Sequence, residues 1–408
     1  MTTATSRIRT IGTAADDVTA AVARTIDDVI SLLQSHARIL VVTGAGISVS
    51  CGVPDFRSKQ GLYTALRGSR IPALDGVSEA EELFDISLFR ADPAPFYAVA
   101  RVLYDVAPVL GGTPVATRRP SLAHRFIAAL DARGVLLRNV TQNIDGLEAA
   151  AGVSRVLACH GTLATASCLR CGHRVTASAL LPAIEAGDVA RCAQRRCERR
   201  RDAVLKPDVT FFREELPAGV AKALPTDAGA ADLLLVIGSS MRVAPVAEVP
   251  RMLQPGTPAV LINAEPLGGR GSGGAGAAAI RFDVELIGDA DVICRYLWNR
   301  LGWPGWPPID GDDADGSETA SSGAAVDDTV VAEDAARPGR FLFSSASQSA
   351  AHAVRSAALA ARLDVCLRAC EQRGARHVAD APACMVDVDT ALPVTRSGRV
   401  VRPRREDG

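Results

Sequence analysis

The chain has 408 residues, 48% of them apolar and 22% charged, with a formal net charge of -1. That length allows two or three folded units with cores that need no staples, and the near-neutral balance excludes an overall basic glove for nucleic acid. No run of about 18 uninterrupted apolar residues occurs, which argues against a membrane-spanning helix.

Residues 1–15 read as a disordered leader: Arg7 and Arg9 are present, but no apolar stretch of a secretory signal accompanies them. Residues 16–36 space Val18, Val22, Ile26, Ile30 and Leu33 at helical intervals, which predicts an amphipathic helix. The run Arg38-Ile-Leu-Val-Val-Thr43 then reads as a buried parallel strand feeding a glycine turn. Similar runs recur at residues 135–141, 233–237 and 259–262, separated by helical stretches such as 121–133. Strands alternating with helices predict an α/β fold, a Rossmann-like parallel sheet with helices on both faces.

Residues 167–201 are dense in Cys and Arg and lack an apolar period, so this segment is expected to be a small module held by something other than a core. Residues 266–279 are a glycine-rich insertion. After Trp303 the chain turns acidic and rich in Ser, Gly and Ala over 310–334, which places the end of the folded core at 303. A candidate helix at 349–372 and a basic end (Arg396, Arg399, Arg402, Arg404, Arg405) follow in what is otherwise a disordered tail, 304–408. Of the basic residues only Lys59, Lys206 and Lys222 are lysines.

Six groups of residues carry chemistry. Gly44-Ala45-Gly46-Ile-Ser48 follows the first strand, where bare backbone can approach a diphosphate, and a plain tight turn is the alternative. Cys51-Gly-Val-Pro-Asp55-Phe56-Arg57-Ser58 and Gly61-Leu-Tyr63 form a polar Gly/Pro loop of the kind that positions binding groups. Thr141-Gln142-Asn143-Ile144-Asp145-Gly146-Leu147 ends the second strand, where ligands of open parallel sheets bind; an Asx turn capping a helix is the alternative. His160-Gly161 ends a short apolar run, where an imidazole can face a cleft and take a proton from a hydroxyl. Cys168-Leu-Arg-Cys171 and Cys192-Ala-Gln-Arg-Arg-Cys197 have the paired spacing of a closed four-thiolate zinc site; the alternative is four unrelated thiols. Downstream, Gly238-Ser239-Ser240, Asn263-Ala264-Glu265 and Gly288-Asp-Ala290-Asp291 each read singly as a turn, and the first two follow strands.

Taken in order, these motifs resemble the sirtuin family of NAD-dependent protein deacylases, over roughly residues 25–303. The stretches Leu83-Phe-Asp-Ile-Ser-Leu-Phe-Arg90 and Leu205-Lys-Pro-Asp-Val-Thr-Phe-Phe212, with Leu301-Gly-Trp303, look most like the fungal nuclear branch, which removes acetyl from a histone core lysine. The resemblance implies a two-lobed catalytic core at 16–303, with a zinc module inserted at about 166–204. It implies NAD as consumed co-substrate, held by Gly44, Ala45, Gly46, Ser48, Asp55, Phe56, Arg57, Tyr63, Gln142, Asn143, Ile144, Asp145, Gly238, Ser239, Ser240, Asn263, Ala264, Glu265 and Ala290. Catalysis would rest on His160, Asn143 and Asp145, and structural zinc on Cys168, Cys171, Cys192 and Cys197.

The implied partner is an acetylated protein lysine, on a histone tail or core, in the nucleus and without a membrane; the C-terminal arginines read either as a nuclear-import or chromatin-touching segment or as a solvated basic end. Two other readings stay open: a mono-ADP-ribosyltransferase using the same site, and a silent chromatin scaffold, against which the intact His160, Asn143 and Asp145 argue. The chain departs from the family at Cys197-Glu-Arg-Arg-Arg201, where Gly-Gly is usual, and at Phe212-Arg213-Glu214, where Phe-Gly-Glu is common. Tyr97 followed by Ala100, instead of Tyr-x-x-Arg, leans towards acetyl or neutral acyl groups.

Overall fold

The computed structural model describes residues 23–53, 61–67, 70–75, 77–106, 119–267, 281–305 and 329–345, with further helical positions between 357 and 372. The strands in chain order are β1 (Ile39–Thr43), β2 (Leu136–Thr141), β3 (Val156–Ala158), β4 (Gly161–Cys168), β5 (Arg174–Thr176), β6 (Leu205–Val209), β7 (Leu233–Ile237), β8 (Ala259–Asn263), β9 (Val284–Ile287), β10 (Val330–Glu333) and β11 (Arg340–Ser344). Eight of them form one sheet in the order β10-β11-β9-β8-β7-β1-β2-β3, parallel throughout except for β10 against β11.

Both faces of this sheet are covered, which is why its strands read as continuous apolar runs. Alternate side chains of β1 face opposite ways. Ile39 and Val41 pack against the helices Ile26–Ser35, Leu122–Ala132 and Ala290–Arg300, while Leu40 and Val42 meet the helix Ala218–Ala230. β7 divides likewise, Leu233, Leu235 and Ile237 on one face and Leu234 and Val236 on the other. Winding runs outward from the centre in both directions, so its sense reverses between β1 and β7. That reversal leaves a crevice beyond the carboxyl ends of the two strands.

Three expectations need correction. The first helix begins at Ile26, not at residue 16, because extended Thr25 caps it and exchanges bonds with Asp28 in a capping box; residues 16–22 lie outside the described part. The core does not end at 303. β11 pairs with β9, and Phe341 and Phe343 enter the core beside Ile293 and Trp298, with Phe343 edge-on to Tyr296 at 5.3 Å. The third concerns the Cys/Arg segment, which has a core after all. Leu180, Ile184 and Ala190 join Leu62, Leu66, Phe84, Phe89, Phe96 and Phe211 in one cluster, capped by the three-stranded sheet β5-β4-β6. Most of its apolar partners come from residues 62–103, with others such as Phe211 beyond the segment, so no period inside 167–201 could reveal them.

The candidate C-terminal helix is helical at its described positions, and Leu363 and Leu367 are buried in this same smaller lobe. There Glu371 accepts a bond from the Arg70 backbone N–H at 2.6 Å. Residues 268–279 of the glycine-rich insertion and the arginines from 396 onward lie outside the described residues. Among the described residues no helix is long and apolar enough to cross a membrane.

Candidate active site

Two turns meet over the crevice. After β1 the chain makes short 3-10 turns, Ala45–Ile47 and Val49–Cys51, and left-handed Gly52 ends them. After β7 it turns at Gly238, with φ at 61°. Gly46 N donates to the Gly238 carbonyl at 2.9 Å. A Cβ on Gly46 would lie 2.6 Å from Gly238 Cα, and one on Gly238 would lie 2.6 Å from Ile47 N. The glycines are therefore needed first by protein packing: they weld two backbone turns into one floor.

Above that floor lies an open cleft of about 120 Å3. Of the residues singled out from sequence, Gly46, Gly238, Asn263, Ala264 and Ala290 line it. Val49 and Ser50, which were missed, line it too, as do Gly288, Asp289 and Asp291, read from sequence only as a turn. The Gly288-Asp-Ala-Asp291 motif was the available signal. Asp289 also caps the helix Ala290–Arg300, and Asp291 accepts from Ala123 N at 2.9 Å, so both carboxylates already have structural partners.

At the end of β2 the polar side chains form a connected line. Asn143 Nδ2 donates to the Gly44 carbonyl at 3.1 Å and to Ser48 Oγ at 3.2 Å, and Ser48 Oγ donates to Asp145 Oδ2 at 2.8 Å. Asp145 also accepts from Leu147 N at 3.0 Å, the Asx turn read as the alternative from sequence. Gln142 ties β2 to the β7 turn, its Oε1 accepting from Ser239 Oγ at 2.8 Å.

His160, between β3 and β4, sits half-buried on the same rim. Its Nδ1 lies 3.1 Å from the Gln142 carbonyl. A carbonyl only accepts, so Nδ1 carries the proton and Nε2 is the basic nitrogen. The backbone on either side is pinned. Thr210 N donates to the His160 carbonyl at 2.8 Å, and a Cβ on Gly161 would collide with the Asp208 carbonyl at 2.0 Å.

Behind Asp145 lies a buried group that sequence reading left out. Glu148, 1% exposed, accepts from the hydroxyls of Thr141 and Thr43. One ring nitrogen of fully buried His124 and oxygens of Asp145 and Glu148 all lie within 4.8 Å of one another. Burial, and then the Asp145 charge, pushes the Glu148 carboxyl up to about 7, and burial pushes His124 down to about 3. Burial thus favours the neutral form of both groups beneath Asp145. Glu148 was visible as the last residue of Asn143-Ile-Asp-Gly-Leu-Glu148, and only its environment distinguishes it from a surface acid.

Other candidates fall elsewhere. Tyr63 packs in the smaller lobe, 6.2 Å from Phe84. Ser240 and Glu265 are exposed, and Asp55, Phe56 and Arg57 lie outside the described residues. Tyr97 is buried with its hydroxyl donating to the Leu205 carbonyl, and Ala100 is buried beside it, so that pair belongs to the lobe's core. Arg213 adopts φ of 70°, where glycine is at home, and its guanidinium meets Asp85 at 3.1 Å. Cys159 and Cys294 are buried as packing thiols in the cores on the two faces of the large sheet.

The four cysteines of the smaller lobe converge. Cys168 and Cys197 Sγ are 3.8 Å apart, as are Cys171 and Cys192 Sγ, and all four lie within 4.8 Å of one another. A disulfide needs about 2.05 Å, whereas a tetrahedron of Zn–S bonds near 2.3 Å has edges of about 3.8 Å. The donor set fits zinc.

The Sir2 family model matches residues 44–245. NAD-dependent protein deacetylase sirtuin-1 of Mus musculus is 44% identical over 281 residues, covering 68% of this chain and 34% of that protein. NAD-dependent histone deacetylase sirtuin-1 of Drosophila melanogaster is 40% identical over 297 residues, 68% of this chain and 33% of that protein. NAD-dependent protein deacetylase hst2-2 of Emericella nidulans is 39% identical over 284 residues, 68% of this chain and 73% of that protein. The chain thus spans about a third of the sirtuin-1 proteins and most of the fungal one. A solved Sir2 structure with p53 peptide and NAD+ superposes with a TM-score of 0.52 at 27% identity, over 68% of this chain and 99% of that one. Another, with deacetylated p53 peptide and 3'-O-acetyl ADP ribose, gives 0.53 at 26% identity, over 68% and 99%. On sequence, fold and the order of its motifs, the chain belongs to the Sir2 family.

Proposed function

We propose that this chain is an NAD-dependent protein-lysine deacetylase acting on acetylated histones in the nucleus. The observation that carries the reading is the unbroken line from the Gly44 carbonyl through Asn143 and Ser48 to Asp145, with His160 on the same rim of the β1/β7 crevice. Bound NAD would supply a nicotinamide leaving group whose departure opens the ribose C1′ to the acetyl-lysine oxygen; with one water consumed to release the amine, the products are nicotinamide, O-acetyl-ADP-ribose and free lysine.

The protein's part is placement and proton handling. Asp145, anchored by Ser48 and the Leu147 amide, presents a carboxylate to the nicotinamide carboxamide. Asn143 orients the ribose from a side chain fixed at two points. His160, with Nδ1 committed to Gln142, takes the ribose hydroxyl proton on Nε2; a positioned base of this kind contributes about 10²–10⁴ in rate. The backbone floor of Gly44–Gly46 and Gly238, the Ala45 amide beside it, and Asn263, Ala264 and Ala290 hold the diphosphate and adenosine ends. Ser239, Ile144 and the loop carrying Asp55, Phe56 and Arg57 complete the enclosure.

Cys168, Cys171, Cys192 and Cys197 would hold one structural zinc ion. Four thiolates close its coordination, so it leaves no position for substrate and serves to lock the smaller lobe. The histone reading is supported by the name of the fruit-fly relative. The basic C-terminal end fits nuclear import or contact with chromatin.

Incubation with NAD and acetylated histones tests the reading. Nicotinamide release matched by loss of acetyl supports it. Release matched by protein-bound ADP-ribose supports the transferase alternative, and no release supports the scaffold.

A further inference from the structure

The cysteine-bound end of the smaller lobe carries a charge that the deacetylation site does not use. From Arg191 to Asp202 the sequence runs Arg-Cys-Ala-Gln-Arg-Arg-Cys-Glu-Arg-Arg-Arg-Asp, six arginines against two acids, in a chain whose net charge is -1. All six arginines are exposed. Arg191 bonds the Arg201 carbonyl and Arg196 bonds the Cys171 carbonyl at 3.1 Å, contacts that fix the side chains without neutralising them. Asp202 is taken by Arg170. Among the described residues, Arg195, Arg199, Arg200 and Arg201 have no carboxylate within ion-pair distance.

Two further features make this more than a solvated charge run. Cys192 and Cys197 are buried and converge with Cys168 and Cys171, so the arginines hang from a fixed knuckle, not a loose loop. Arg199 is held at φ of 58°, a left-handed conformation that glycine takes freely and an L side chain resists. An arginine stands where a glycine would fit better.

Position separates this surface from the reaction. β4 leaves His160 at Gly161 and reaches the cysteines at Cys168, and at about 3.3 Å per residue that is roughly 20 Å. Its composition selects the partner. Between Arg191 and Asp202 there is no aromatic residue on which an unpaired base could stack, and no large apolar residue to anchor a protein partner. What remains is a set of guanidinium forks on a backbone fixed by the converging cysteines, and such forks match phosphate geometry.

We propose that the arginine face spanning residues 191–201 binds the phosphate backbone of duplex nucleic acid without sequence preference. A ligand held there leaves the β1/β7 crevice open, so a protein substrate carried on nucleic acid would be tethered about 20 Å from the site that acts on it.

The test is fluorescence anisotropy of the full chain on labelled duplex DNA and duplex RNA across a salt series, without NAD. This keeps the outcome independent of the deacetylase reading. Wild type is expected to bind with an affinity that falls steeply with salt. Changing Arg195, Arg199, Arg200 and Arg201 together to Gln is expected to reduce the slope of log K on log salt by about 3 to 4, at about 0.9 per lost phosphate contact. The matching Lys variant, which keeps the charges, is expected to restore most of the slope, and this separates lost contacts from lost folding. Equal binding of the DNA and RNA duplexes supports backbone recognition as stated. An unchanged slope in the Gln variant, stronger binding to single strands than to duplex, or binding of an acidic polyglutamate peptide but not of either duplex would overturn the proposal.

Discussion

Replacing Glu148 by Gln isolates the buried carboxyl behind Asp145. The Gln side chain keeps an acceptor for Thr141 and Thr43 but cannot ionise. In the folded wild type the carboxyl sits at about 7, against an ordinary 4.5, because burial and the Asp145 charge disfavour its anion. Once the chain unfolds, the proton is lost at the ordinary pH. Between about pH 4.5 and 7 the unfolded state therefore binds fewer protons than the native state, and this group's contribution to stability falls as pH rises. At about 1.4 kcal/mol per pKa unit the full fall is about 3 kcal/mol.

His124 works in the opposite sense. Burial lowers it to about 3, so its contribution is complete above about 6.5 and is lost as pH falls towards 3. It is present in both proteins and cancels in the comparison. Denaturant unfolding at pH 5, 6, 7 and 8 should show the Glu148→Gln variant gaining on wild type by about 2 to 3 kcal/mol across the series, most of it by pH 7. A difference that stays flat, or that shrinks as pH rises, refutes a neutral Glu148 in the native protein.

Gly238→Ala should disrupt the floor of the crevice, since the new Cβ meets Ile47 N and the Gly46 backbone at a left-handed position; calorimetric titration should then find NAD binding weakened at least tenfold. Removal of metal by a chelator, or Cys197→Ser, should unlock the smaller lobe, read as lost zinc by elemental analysis and as a separate early step in thermal unfolding. Phe343→Ala should cost about 3 kcal/mol as a buried aromatic truncation. It should also weaken NAD binding, because the Gly288 turn that lines the cleft packs on the Phe343 backbone, where a Cβ on Gly288 would lie 2.7 Å from the Phe343 carbonyl.

What could be read from sequence was what local spacing controls. β1 and β7 were visible because burial on both faces demands unbroken runs such as Leu233–Ile237. Asn143, Asp145 and His160 were visible because polar groups at strand ends lie at the ligand-binding edge of such a sheet. The cysteine tetrad declared itself by spacing alone. What stayed hidden depends on partners distant in sequence. Leu180 and Ile184 have no period of their own and are buried mostly by residues 62–103. The alternation of Phe341 and Phe343 is a strand signal, but it sits beyond a long acidic stretch, and only β9 gives it a place. Glu148 looked like any acidic residue early in a helix until its two threonines and Asp145 enclosed it.

Catalysis by His160 can be tested most directly by stoichiometry. With NAD and an acetylated histone peptide, nicotinamide release and loss of acetyl should proceed one for one in wild type. His160→Ala should abolish deacetylation while leaving the thermal midpoint and NAD affinity near wild type, because the ring is half-buried on the rim and outside the core. Deacetylation retained in that variant, or nicotinamide release in wild type without loss of acetyl, would contradict the proposed reaction.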